Sequence, residues 1–404
     1  MEKKGDIYVE KRTMIYALFC TGMLIAYMGS LRPWFTWPIS RYYPFIAAIP
    51  FLMAVVLSNS SKSPQFHRKS FLVPTALTTV LLVYQAFVNQ LNIFGYIHAF
   101  ASVLMFATLY AYDIEMLKKA VTFICKVMAC ILCVSFPFFI LYLLGFTLPH
   151  FNLTNEAQTY SFDNYIFFLI DDRSLIAIFP RFQSVFTEPG HLGSATSFLL
   201  FTQLGQWKKW YNIVLIGATL ASFSLAAYVF IVVIALMGAW IQKKHFILKV
   251  TIVIVLIAAA LITATLYNNG DNLVNTLIVE RLEVVDGKMV GDNRVTEDFE
   301  NDFDSFMKTD DVFLGRDFDR EDYGFGNAGY RVYIYDYGFV GVFLVFILYV
   351  SFIFYSENTR AALAAIMVAI IAFIVRDTPT SYYFLFSFFI TATIGPYSIN
   401  KVDT

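Results

Sequence analysis

Charge is what this sequence has least of. Only 15% of its 404 residues are Asp, Glu, Lys or Arg, against 58% apolar, and its mean hydropathy is +0.63. Water-soluble domains carry roughly a quarter charged residues, so the shortage excludes an ordinary soluble globule and points to lipid as the main solvent. An excess of one sign is also missing. The 29 basic and 30 acidic residues leave a net charge of −1, which excludes the broad positive field that nucleic acid would call for. Cysteine is scarce: Cys20, Cys125, Cys130 and Cys133 all fall in apolar runs. The Cys130–Cys133 pair has no second pair and no nearby histidine, so zinc and redox readings give way to small apolar filler. No small-residue cleavage site follows the first apolar run, which is therefore read as a retained span rather than a signal peptide.

Long apolar runs are what the sequence does have, together with 43 Phe and 25 Tyr of the kind that gather at membrane interfaces. About 20 apolar residues cross the hydrocarbon, and backbone groups there must pair internally, so each run reads as a helix. Runs occur at 14–31, 42–58, 71–89, 93–112, 120–146, 191–206, 246–267, 331–353, 361–375 and 381–397. Residues 211–241 are long for one span and short for two, and lysine pairs flank both ends (208–209 and 243–244). This predicts two short helices bent at Ser222-Phe223-Ser224. The expected fold is an all-α polytopic membrane protein, one membrane domain over 1–404 with about twelve transmembrane helices and both termini cytoplasmic. Segments assigned inside then hold 16 Lys or Arg and 7 acids, whereas those outside hold 12 and 23.

Two outer loops, 147–190 and 268–330, are far longer than ordinary connections, and loops of such length usually carry function or disorder. The first holds an apolar piece, YIFFLI at 165–170, expected to lie on the membrane surface or dip into it. The second contains Gly324-x-Gly326-x-x-Gly329, but without the strand and βαβ unit of a dinucleotide site. Its acids, DFD at 302–304 and 317–319 with Asp310-Asp311, lack the glycine and glutamate of a calcium loop and read as a solvated face. Asn152-Leu153-Thr154 matches a glycosylation sequon and carries no further signal.

Arginines are the more informative group: Arg173 and Arg181 in the first loop, then Arg281, Arg294, Arg316, Arg320 and Arg331. Arg181 and Arg331 sit where loop meets span. An arginine at that depth either snorkels or clamps phosphate oxygens with its planar fork. Arg181 opens the stretch RFQSVFTEPGHLGSATSFLLF (181–201). There Pro189 restricts Glu188 to an extended conformation just ahead of a helix start, and a helix start favours an anion. A partly desolvated carboxylate at that point could act as a general base. The plainer reading is a structural Arg181–Glu188 pair.

These residues carry a family resemblance. Arg181 through Leu192, R-F-x-S-x-F-x-E-P-G-x-L, resembles the segment after the first large periplasmic loop of Wzy-type O-antigen and capsule polymerases, which share a superfamily with the O-antigen ligases. FLGRDF (313–318) and GNAGYRVYIYDYGFVGVFLVF (326–346), with its Gly338-Phe339-Val340-Gly341 step, resemble that family's close of the second loop. The paired short helices with Ser222 and Ser224 resemble its middle spans. The resemblance implies a metal-independent membrane glycosyltransferase of the bacterial inner membrane with no cofactor. It would join undecaprenyl-pyrophosphate-linked oligosaccharide units at the periplasmic face, with a chain-length regulator protein as a further partner. It implies that arginines of the two loops hold the diphosphates; the residues themselves point to Arg181, Arg331, Arg316 and Arg173 for that task, with Glu188 as base or arginine orienter and His191 or Arg316 assisting. The Arg-then-ten-then-Gly pattern of some polymerases is absent: eleven residues after Arg281, Arg316 and Arg320 stand Asp292, Asn327 and Arg331.

Three alternatives follow from the same residues. A ligase resembles this layout but tends to place a histidine near the end of the second loop, which has none; Asn327 stands there, and only His150 and His191 lie in the outer segments. A flippase or ion-coupled carrier puts ionisable groups mid-span, where only Lys126 is found. A transferase of the oligosaccharyltransferase kind keeps an acid pair in its first outer loop, and LRPWFTWPISR (31–41) has no carboxylate.

Overall fold

The structure is a computed structural model that describes residues 2–60, 71–155, 160–171, 179–243, 245–285, 288–289, 295–316, 327–356 and 358–396. Each apolar run holds a helix: α1 (Glu2–Leu31), α2 (Tyr43–Ser60), α3 (Leu72–Val88), α4 (Ile93–Ala111), α5 (Ile114–Leu143), α6 (Pro189–Thr202), α7 (Trp210–Ala221), α8 (Leu225–Gln242), α9 (Phe246–Leu266), α11 (Tyr330–Ser351), α12 (Thr359–Val375) and α13 (Tyr382–Ile394). One further helix, α10 (Glu297–Phe306), lies in the second loop. Among the described residues, six segments are long and apolar enough to cross a membrane: Lys11–Leu31, Ile93–Ala111, Ile114–Leu143, Leu225–Gln242, Phe246–Gly270 and Tyr330–Tyr355. The chain is a helical, multi-pass membrane protein.

Burial separates the helices by role. Every residue from Tyr382 to Thr393 of α13 is buried, since this helix lies against α1, α5, α6 and α12. A helix apolar on all sides needs such surroundings. Aromatic edges fill the gaps, with ring centroids of Phe198 and Phe384 4.9 Å apart and those of Tyr110 and Phe389 4.8 Å apart. In α9 only Ala264 is buried, although the helix is almost wholly Ile, Val, Leu and Ala. A helix so apolar and so little covered by protein requires lipid around it. The break between α7 and α8 falls at Ser222–Ser224, where Phe223 takes a φ of +44° and Ser224 caps α8 by accepting the Ala227 N–H.

The first long loop folds into an antiparallel meander of β1 (Phe151–Asn155), β2 (Tyr160–Asn164) and β3 (Leu169–Asp171). YIFFLI divides within this meander: it turns through Ile166 (φ +69°) and enters β3, with Phe168, Leu169 and Ile170 buried and Ile166 and Phe167 exposed. Phe168 meets Phe139 and Tyr142 of α5 at 5.7 Å each, and the Leu169 N–H donates to Ser184 O at 2.9 Å. The protein is the apolar partner of Phe168, Leu169 and Ile170.

In the second loop, α10 reads EDFENDFDSF, with Phe299, Phe303 and Phe306 buried against Val332, Ile334 and Tyr335 at the start of α11. The i, i+4, i+7 spacing leaves its acids on the other faces, so the DFD at 302–304 is largely a helix surface. Asp302 also accepts the Tyr335 hydroxyl at 2.7 Å. Removing one anchor with Phe303→Ala is expected to loosen α10 by about 3 kcal/mol. The measurement is amide exchange, which should accelerate across 297–306 and stay unchanged in α13.

The two glycine motifs dock on each other. Within α11, Gly338 leaves helical geometry (φ +58°, ψ −172°), and a break there frees backbone groups that lipid cannot satisfy. The Phe313–Arg316 turn satisfies them: the Arg316 N–H donates to Tyr335 O at 2.6 Å and the Val340 N–H donates to Phe313 O at 3.0 Å. Tyr84 on α3 adds its hydroxyl, 2.7 Å from Leu314 O and 3.0 Å from Tyr337 O.

Candidate functional site

The stretch RFQSVFTE sorts its side chains to two sides. Phe182, Val185 and Phe186 enter the core, Phe182 meeting Phe136 and Phe139 of α5 at 5.2 Å each. Arg181, Gln183, Thr187 and Glu188 line a cavity of about 1890 Å³. The backbone is held in that orientation because Val185 O accepts the Trp34 N–H at 3.0 Å. Glu188 is extended (φ −144°, ψ 143°) and Pro189 opens α6, as the proline dictates. The Glu188 side chain makes no cap hydrogen bond to the helix, so it is left to face the cavity.

An unexpected guanidinium meets it. Arg376, at the C-terminal end of α12, brings Nη1 to 3.7 Å from Glu188 Oε2, with its own side chain only 16% exposed. The glycine in Glu188-Pro189-Gly190 explains the approach. A Cβ on Gly190 would lie 2.7 Å from Arg376 Nη2, so any side chain there displaces the arginine. Guanidinium and helix start are both positive, an arrangement that Glu188 only partly neutralises.

The cavity wall comes from the connections α1–α2 (Arg32, Arg41), α3–α4 (Asn89, Leu91), α5–α6 (Arg181, Glu188), α7–α8 (Ser224), α9–α11 (Arg281, Asn327) and α12–α13 (Arg376, Asp377). His191, in the first turn of α6, lines it too and sets its ring edge-on to Tyr383 at 6.2 Å. Among the described residues, buried atoms of six lining residues have no hydrogen-bond partner: Asn89 Oδ1, Gln183 Nε2, His191 Nδ1, Arg376 Nε, Ser381 Oγ and the Tyr383 hydroxyl. Orphans of this kind are rare in protein interiors. Five of the six can serve as donors, and only Asn89 Oδ1 must accept, so the wall suits a ligand rich in acceptor oxygens.

No family model, no curated protein and no solved structure matches this chain. The site is therefore read from its own geometry.

Of the residues singled out in the sequence, the structure brings together Arg181, Glu188 and His191, and adds Arg281. Arg316 and Arg331 lie elsewhere. Arg316 Nε is 2.7 Å from Asp311 Oδ2 and its guanidinium stands over the Phe306 ring at 5.4 Å. The hydrogen bond to Asp311 pushes its already high pKa up. Arg331 Nη1 is 3.2 Å from Glu300 Oε1. Both therefore tie α10 to its neighbours. Arg173, Arg294, Arg320 and the DFD at 317–319 lie outside the described residues. Asn327 accepts the Thr296 N–H at 2.7 Å and so fixes the start of α10 while lining the cavity. Sequence reasoning passed over Arg32, Arg41 and Arg376. The signal for Arg376 was present in Arg376-Asp377, a charged pair between two apolar runs in a short turn.

Proposed function

We propose that the protein is a Wzy-type polysaccharide polymerase that joins undecaprenyl-pyrophosphate-linked oligosaccharide units. The observation that carries this reading is one cavity lined by Arg181, Glu188 and the start of α6, in which Arg376 approaches Glu188. A sugar diphosphate already has a good leaving group, so the protein need supply only charge stabilisation, positioning and a proton acceptor. The terminal hydroxyl of one unit attacks the anomeric carbon of the chain on the other carrier. The bond from that carbon to the diphosphate oxygen breaks, Arg181 and Arg376 hold the leaving charge, and Glu188 takes the hydroxyl proton. His191 and Gln183 present polar atoms to the sugar.

The same reading includes twelve crossings, cytoplasmic termini and a cavity on the periplasmic side of the bacterial inner membrane. Six connections that line one cavity support it, because alternating crossings put every second connection on one face. A chain-length regulator is a further expected partner.

The test is deletion of the gene in its own host, followed by analysis of the surface glycan. Loss of a polymerase leaves single repeat units on their final acceptor, and complementation with Glu188→Gln or Arg181→Ala should leave them there. Polymer accumulating on undecaprenyl pyrophosphate would mean a ligase instead. Absence of both products from the outer face would mean a flippase.

A further inference from the structure

We infer a second anion subsite in the same cavity, formed by Arg32, Arg41 and His98, that takes the diphosphate of a second lipid-linked saccharide, the acceptor. It rests on the polymerase reading above. The segment LRPWFTWPISR contributes two arginines and no carboxylate. It is fixed over the cavity as a short 3-10 helix, Trp34–Ile39. Trp34 Nε1 donates to Ile166 O at 3.1 Å, and Trp37 Nε1 donates to Arg32 O at 3.1 Å. Arg32 itself is held at a φ of +49°, a backbone state that a non-glycine residue keeps only where its surroundings impose it.

The ion pairs among the described residues include neither Arg32 nor Arg41. Arg32 acts electrostatically on Tyr43, His98 and His191. Arginine beside imidazoles, at the edge of a low-dielectric wall, is complementary to phosphate oxygens. The subsite also has an apolar continuation. Gly95, Ala99, Ser102 and Phe106 of α4 line the cavity at i, i+4, i+7 and i+11, one helix face. That face carries the cavity about 16 Å down the helix, at 1.5 Å per residue. Its small residues leave room for a hydrocarbon chain below an anionic head.

Two subsites fit the size of the space. Single-ligand pockets run to roughly 1,000 Å³, and this cavity holds about 1890 Å³. Arg181, Glu188 and Arg376 would hold the donor on one side, with the acceptor held by Arg32 and Arg41 on the other. Arg32 reaches His191 electrostatically, so the two heads would lie side by side, as a transfer between two carriers demands.

The chemistry recognised is an anionic phosphate head on a long chain, which a bilayer phospholipid also offers. The experiment is native mass spectrometry of the full chain in phosphatidylcholine nanodiscs, titrated with undecaprenyl diphosphate and, separately, with phosphatidylglycerol. The wild type should bind two undecaprenyl diphosphates, the Arg32→Gln/Arg41→Gln double variant one, with the second event weakened about tenfold or more. The single ligand it retains shows that it is folded, and Arg32→Lys/Arg41→Lys should recover part of the loss. The inference is overturned by one ligand on the wild type, by two or none on the double variant, or by phosphatidylglycerol filling the second position equally well. No ligand on the wild type would instead sink the polymerase reading itself.

Discussion

Under the proposed polymerase function, Glu188→Gln and Arg376→Gln are each expected to slow chain elongation by about 10²-fold or more, and the double variant to be scarcely slower than the worse single. The reasoning starts from the 3.7 Å between Arg376 Nη1 and Glu188 Oε2. That is a long contact for an ion pair, and both residues face the cavity. If the carboxylate accepts a proton while the guanidinium holds the departing diphosphate, each needs the other in position. Removing either disables the unit, so the effects cannot multiply. The measurement is the rate of repeat-unit addition by purified protein on lipid-linked substrate, with each variant normalised to folded protein. Full-rate elongation by either single variant at normal protein level would take that residue out of the site. Multiplied effects would separate their roles.

The largest structural effect is expected from Gly315→Ala. Gly315 has a φ of +90°, and a Cβ there would lie 2.4 Å from Asp336 O and 2.7 Å from Gly338 N. Both close atoms are backbone, so no rotamer change relieves the overlap. The alanine costs about 1–2 kcal/mol for its left-handed conformation alone. Pushing the turn away then frees the bonds that mend the α11 break, at about 1–3 kcal/mol for each buried group left unpaired. A loss of at least about 4 kcal/mol follows, seen as a large fall in the thermal midpoint in detergent. Gly217 in α7 provides the control, because a Cβ there meets nothing within 4 Å. Gly217→Ala should be neutral or stabilising by up to about 1 kcal/mol, the ordinary helix gain of alanine over glycine. Equal melting of the two variants would show that the docked glycine turn contributes little.

The helices were legible because lipid imposes one demand on every residue, and a run of apolar side chains records it without reference to distant partners. The bend at Ser222–Ser224 was legible for a related reason, since charge at both ends of 211–241 left no other way to place the lysines. Glu188 at the head of α6 was readable because proline acts on its immediate neighbour. YIFFLI was not, since an apolar hexapeptide looks alike whether it meets lipid or the side of α5. Arg316 and Arg331 show the same limit. Their residue type suits phosphate, yet the acids that engage them sit 5 and 31 positions away, and only the placement of α10 brings the second one near.

By itself, then, the sequence determined the solvent, the helical content and the local geometry at Glu188-Pro189, because these depend on composition, periodicity and adjacent residues. Tertiary structure alone decided the company each charge keeps. Arg376 reaches Glu188 from 188 residues further along the chain, across a glycine whose value lies only in the side chain it lacks. Pairing of that kind depends on how helices pack, and packing is settled by the fit of many weak contacts that no single stretch contains.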